Sequence, residues 1–231
     1  MELINPELEK YAELNTSDEL PVLARLTRET HLTQVYPRML SGHLQGTFLC
    51  MISCLVKPFR ILEIGTFTGY SAICLASGLT DRSFHQSSSS ESKKKPEKAM
   101  LHTIEVDPEL ELIIRKYLHE AGIEEKVVLH IGNALEIIQT LDEPWDLVFI
   151  DADKPNYLNY YKMLIDRLSP GGMIIADNAL WDGKVLNPDT KSKDTRGIIE
   201  FNEYVQQDDR VENVLLPVRD GLMLIRKKSF T

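Results

Sequence analysis

Three short segments bring acids, an amide and a lysine together at spacings that could do chemistry. FIDADK (149–154) places Asp151, Asp153 and Lys154 behind one apolar run, and ADNALW (176–181) places Asp177 and Asn178 behind another. Two carboxylates and an amide oxygen make a hard-oxygen donor set, suited to Mg²⁺, and also to Mn²⁺ or Ca²⁺, rather than to Zn²⁺. A plainer use for Asp177 and Asn178 is to cap the segment that follows, and Lys154 without those acids would be a solvated surface lysine. The third segment, EIGTFTGYS (63–71), holds Gly65 and Gly69 where the chain turns from an apolar run into a helical pattern. Such glycines let the backbone approach a ligand closely and open a helix with a positive N-terminus. Read alone they are a tight turn, and their spacing is not G-x-G-x-x-G. Glu105 closes the next apolar run, where a carboxylate can accept from both hydroxyls of a ribose or simply face solvent. Gly132, Asn133 and Ala134 are small enough to admit a flat ring. Glu63 and Asp151 give the rim negative charge, which attracts the ammonium and sulfonium of S-adenosylmethionine and disfavours a pyrophosphate.

These residues need a sheet to bring them to one edge, and the apolar rhythm supplies it. From Pro58 onward, short apolar runs alternate with helical patterns: RILEIG then SAICLASGL, MLHTIEVD then PELELIIRKYLHEAG, VVLHIG then ALEIIQTL, WDLVFIDAD then YLNYYKMLIDRL, MIIADNAL then TRGIIEFNEYVQQ. Five strand-then-helix units imply an α/β, doubly wound, mostly parallel sheet with helices on both faces. LEI, VFI and MII read as continuous rather than alternating, as strands covered on both sides require. VENVLLPV and LMLIRKK have only Arg219, Asp220 and Gly221 between them, so they read as a C-terminal antiparallel hairpin that brings the sheet to seven strands. In an open α/β sheet, ligands bind outside the carboxyl ends of the strands. Asp151, Asp153, Asp177 and Asn178 are therefore expected on one edge. Residues 1–57 read as an N-terminal helical cap, with Leu20, Leu23 and Leu26 at helical spacing, Pro37 interrupting, and a second stretch from Leu44 to Val56. The Ser/Lys-rich stretch 81–98 reads as a surface insertion between the first core helix and the second strand, because it cannot bury enough apolar area to offset its ordering entropy.

The chain has 231 residues, 43% hydrophobic and 26% charged, with a formal charge of −9. That length suits a single domain with a 58–231 core. The acidic balance argues against nucleic acid as a partner, since phosphate neutralisation wants a basic face. No apolar run is expected to reach the roughly 18–20 residues that a membrane span requires, and the opening MELINPELEK lacks the pattern of a signal peptide. Cys50, Cys54 and Cys74 are expected to be buried free thiols, the six histidines to be structural, and the protein to be cytoplasmic.

EIGTFTGYS, FIDADKPNYLNYY and DNALWDGKV together resemble the cation-dependent O-methyltransferases of the caffeoyl-coenzyme A and catechol type, from about Met39 to the C-terminus with the 81–98 insertion set aside. The resemblance implies a Rossmann-like domain. It implies S-adenosylmethionine contacts at Met39, Ser41, Glu63, Gly65, Thr66, Ser71, Glu105, Gly132, Ala134, Asp151, Asp153 and Tyr160. Asp151, Asp177 and Asn178 would hold the divalent cation. Lys154, paired with Asp151 as the catalytic group, would stand beside the hydroxyl of a small phenolic acceptor. Two adjacent hydroxyls of a catechol-like ring would lie at the cation, which lowers the pKa of one. Lys154 would take or stabilise the departing proton, and rigid alignment for in-line attack on the methyl can supply roughly 7–11 kcal/mol. Relatives of this type imply a homodimer. Residues 1–38 match loosely, and acceptor choice is expected in the N-terminal helices and in residues 182–195, which could form a lid near Trp181. The rival readings are a nicotinamide-dependent oxidoreductase and a non-catalytic S-adenosylmethionine-binding protein. The missing G-x-G-x-x-G and the terminal hairpin count against the first.

Overall fold

A computed structural model describes residues 5–81, 97–187 and 190–229. Most of the 81–98 insertion therefore lies outside the described residues, as do residues 188 and 189 of the 182–195 segment. Ala99 N donates to Asp81 Oδ1 at 2.7 Å, so the two flanks of the insertion are tied together.

Seven strands form one sheet in the order β3-β2-β1-β4-β5-β7-β6. They are β1 (Arg60–Ile64), β2 (Met100–Glu105), β3 (Val127–Ile131), β4 (Trp145–Ile150), β5 (Leu168–Ala176), β6 (Val211–Leu216) and β7 (Leu222–Lys227). The first five are parallel, and β7 runs antiparallel to both β5 and β6. Every residue of β1 is buried, and so are five of the six in β4, as strands covered on both faces must be. One expectation needs correcting. β5 begins at Leu168, five residues before Met173, because Leu168 pairs with Trp145 across a register shift and carries the Ser-Pro-Gly-Gly stretch into the strand.

Eight helices flank the sheet among the described residues: α1 (Pro6–Leu14), α2 (Pro21–Thr33), α3 (Gly42–Val56), α4 (Tyr70–Ala76), α5 (Glu111–Glu120), α6 (Ala134–Thr140), α7 (Tyr157–Leu164) and α8 (Lys193–Gln207). Leu23, Leu26, Leu49, Leu75, Ile114 and Tyr117 pack α2–α5 on one face, while Ile138, Tyr157, Tyr161, Leu164, Phe201 and Val205 pack α6–α8 on the other. Phe201 lies edge-on between the rings of Tyr157 and Tyr161. Leu20, read with Leu23 and Leu26 as one stripe, instead precedes α2 and is exposed.

The cap is joined to the core through a close α3–α4 seam. A Cβ at Gly46 would lie 2.5 Å from the Tyr70 ring, and one at Gly78, just past α4, 2.2 Å from the Ser53 backbone. The Ser53 hydroxyl donates to the Leu75 carbonyl at 2.6 Å. Two expectations fail on this helix. Pro37–Val56, 20 residues with mean hydropathy 1.4, is apolar and long enough to cross a membrane by length and composition, although core helices meet the same criterion. Cys54 is exposed, while Cys74 is buried and Cys50 lies between, because the α3 face carrying Cys54 and Leu55 points away from α4.

Candidate active site

The sheet order reverses between β1 and β4, and the crevice outside their carboxyl ends is where a doubly wound sheet binds ligands. Gly65 makes that crevice possible. Its φ is +95°, and a Cβ there would lie 1.8 Å from the Asp151 carbonyl oxygen, so the turn after β1 and the end of β4 touch backbone to backbone. Gly69 (φ +95°) then opens α4. Glu105 holds this turn in place: Oε2 accepts from Phe67 N at 2.7 Å and Oε1 from Asp107 N at 2.9 Å. It is buried rather than exposed, and burial raises its pKa against those amides.

Glu63 is fully buried below the turn. Its Oε2 accepts from Thr103, which also bonds Thr66, while Oε1 has no hydrogen-bond partner. Burial pushes its carboxyl up to about 8, with the Ser71 and Thr103 hydroxyls opposing and the Asp151 and Glu105 charges adding to the rise. An acidic oxygen enclosed without a donor suits a cationic group such as an ammonium. Ser41, Thr66 and Ser71 are buried around the same edge, and Met39 is exposed. Gly132 (φ +146°) and Ala134 end β3 and begin α6, with Asn133 capping that helix through Leu135 N. Asp153 is exposed. Its carboxylate accepts from Tyr160 Oη and Asn156 Nδ2, joining it to α7 instead of to Asp151 and Asp177.

Lys154 is buried and not a solvated lysine. Its Nζ donates to Asp151 Oδ1 at 3.0 Å and to Tyr157 Oη at 2.8 Å, and lies 5.6 Å from the centre of the Trp181 ring. One turn of chain, from β4 into α7, therefore sets the ammonium beside the carboxylate. Trp181 is partly buried against the core and begins three consecutive left-handed residues with Asp182 and Gly183. Asp177 ends β5 at 4% exposure. Oδ1 accepts from Asn178 N at 2.7 Å and Oδ2 from Gln45 Nε2 at 2.7 Å. Burial and then the Asp151 charge push its carboxyl up to about 6, with Gln45, the Asn178 amide and Arg219 opposing. Two carboxylates that repel one another, with the Asn178 amide next in the chain after Asp177, fit a hard divalent cation. No group of three or more His, Cys, Asp or Glu able to hold a metal occurs among the described residues.

Sequence reasoning missed Gln45, Tyr157, Arg219 and Asp220. Gln45 is a single amide inside the apolar GHLQGTFL stretch, and the only signal for Arg219 and Asp220 was that they occupy the hairpin turn. Four histidines remain clear of the site: His102 and His130 stack on each other against Trp145, His43 binds the Ser17 carbonyl, and His31 bonds the Thr27 carbonyl.

A glycine turn against β4, buried acids at the ends of β1 and β2, and acids with a lysine after β4 and β5 thus meet at one edge of the sheet. The family model described as O-methyltransferase matches residues 13–228, and the chain belongs to that family. It is 35% identical over 191 residues to the mouse catechol O-methyltransferase domain-containing protein 1, covering 79% of this chain and 66% of that one, so it spans just under two thirds of that relative. It is 33% identical to caffeoyl-CoA O-methyltransferase 2 of Petunia hybrida, covering 80% and 75%. Among solved structures, the O-methyltransferase TomG of Streptomyces achromogenes, in complex with S-adenosylmethionine, superposes with a TM-score of 0.82 at 28% identity, covering 96% of each chain. The chain is thus a member of the O-methyltransferases, and the oxidoreductase reading falls away.

Proposed function

We propose that this enzyme transfers the methyl group of S-adenosylmethionine to one hydroxyl of a small vicinal dihydroxyphenyl acceptor, with a divalent cation held by Asp151, Asp177 and Asn178. The observation that carries the reading is the buried Lys154 ammonium on Asp151, at strand ends one position apart from Asp177 in the sheet. The S-adenosylmethionine bound by TomG and the catechol and caffeoyl-CoA names of the relatives support the donor and the acceptor class. Glu63 offers its unpartnered oxygen to the donor's ammonium, and Glu105 offers its remaining lone pairs to the ribose. A divalent cation supplies a Lewis acid that lowers the pKa of hydroxyls brought against it. Lys154, fixed by Asp151 and Tyr157, holds or moves the proton at the reacting hydroxyl. The ring of Trp181, within reach of both Lys154 and Lys184, walls the acceptor side. Exposed Leu8, Tyr11, Leu14, Leu32 and Leu55 on the cap helices support a homodimer.

The test is methyl transfer from labelled S-adenosylmethionine to a panel of catechols, monophenols and acyl-coenzyme A thioesters, with and without chelator. Vicinal diols should be methylated with Mg²⁺ and not in EDTA. Transfer that continues unchanged in EDTA would overturn the cation role.

A further inference from the structure

The turn that joins β6 to β7 reaches back to both residues that end β5. Arg219, itself left-handed at φ +50°, donates from Nη1 to Gln45 Oε1 at 3.0 Å and to the Ser41 carbonyl, and from Nη2 to the Leu40 carbonyl at 3.3 Å. Gln45 is fully buried, and the guanidinium on its oxygen leaves its Nε2 facing Asp177 Oδ2 at 2.7 Å. The neighbouring Asp220 does the corresponding work for Asn178. Its Oδ2 accepts from Asn178 Nδ2 at 3.0 Å, which turns the amide oxygen of Asn178 the other way, and its Oδ1 accepts from Asp182 N. The backbone locks this arrangement. Leu180 N donates to the Asp220 carbonyl and Ala179 N to the Gly221 carbonyl, each at 2.9 Å. Gly221 has φ +87°, and a Cβ there would lie 2.5 Å from Leu180, so the turn sits against the chain leaving β5.

We propose that Arg219, acting through Gln45, and Asp220 are positioning residues that aim the Asp177 carboxylate and the Asn178 amide oxygen at the divalent cation, so that the C-terminal hairpin turn and helix α3 are parts of the cation site. This rests on the cation reading above. Groups behind metal ligands fix their orientation, and their loss commonly costs about 10–100-fold in metal affinity.

The test is titration of the metal-free full-length enzyme with Mn²⁺, read by calorimetry and by the electron paramagnetic resonance of free Mn²⁺, for wild type, Gln45→Met, Arg219→Met, Asp220→Asn and the Gln45→Met/Arg219→Met double variant. Each single substitution should weaken Mn²⁺ binding by about tenfold or more. Because Arg219 acts through Gln45, the double variant should bind no more weakly than Gln45→Met alone. A general loss of structure would make the two losses add. Should Arg219→Met fail to fold, with the Leu40 and Ser41 carbonyls left bare, Gln45→Met and Asp220→Asn carry the test. Unchanged Mn²⁺ affinity in those two folded variants overturns the inference and leaves the functional reading standing. A wild-type enzyme that takes up no Mn²⁺ overturns the cation reading itself, and this inference with it.

Discussion

Two buried carboxyls give the site its sensitivity to protons. Glu63 has an ordinary value of 4.5 and sits at about 8 in the fold, so the folded protein holds its proton between those values while the unfolded chain does not. The stability it lends is therefore full below pH 4.5 and lost as the pH rises through 8. Urea unfolding of the ligand-free enzyme should show a fall on the order of 3–5 kcal/mol from this group between pH 4.5 and 9. Glu63→Gln should flatten that fall; an unchanged slope would mean that another group is responsible. Asp177, raised to about 6, bears on the proposed cation instead. Carboxylate ligands must lose their protons to bind. Mn²⁺ affinity should thus weaken by up to about tenfold per pH unit below 6, and Asp177→Asn should remove most of the affinity at every pH. A calorimetric series from pH 7 to pH 5 checks both.

Elements were read from the sequence to different depths. The strand-helix alternation from Pro58, the continuous VFI run and the Asp-Gly hairpin were all legible, because burial on both faces leaves short unbroken apolar runs between helical patterns. The start of β5 was not legible, since Leu168-Ser-Pro-Gly-Gly looks like a loop until Trp145 pairs with it. Asp151, Asp177 and Lys154 could be found because they follow apolar runs, whereas Gln45 and Asp177 lie 132 residues apart and no local pattern links them. Glycine positions show the same division. Gly65→Ala should cost about 2–4 kcal/mol, since the backbone is left-handed and the Asp151 carbonyl occupies the Cβ position. Gly122→Ala, also left-handed at φ +68° but with open space around it, should cost only about 1–2 kcal/mol. Denaturation midpoints of the two variants make the comparison; equal losses would show that the contact with β4 is not tight.

At the scale of the whole molecule, the described residues pack around one sheet. Replacing residues 82–96 with a short glycine-serine link should shift the melting temperature by no more than a few degrees, because loop closure entropy changes slowly with length and Asp81 already meets Ala99. The cap helices expose apolar side chains. Light scattering should give twice the chain mass of 26.4 kDa, and Leu55→Asp should reduce it to one. Helix α1 has no buried residue at all, while α3 meshes with α4 through Gly46 and Gly78. An engineer who wants to alter acceptor preference by transplanting the amino-terminal region from a relative therefore has a natural cut between α1 and α2. Exchanges confined to residues 6–14 should give active hybrids, whereas α2 sends Leu23, Leu26 and Thr30 into the core. A graft that carries α3 across must bring its matching α4 as well, since any side chain larger than hydrogen at the seam would pry the two helices apart.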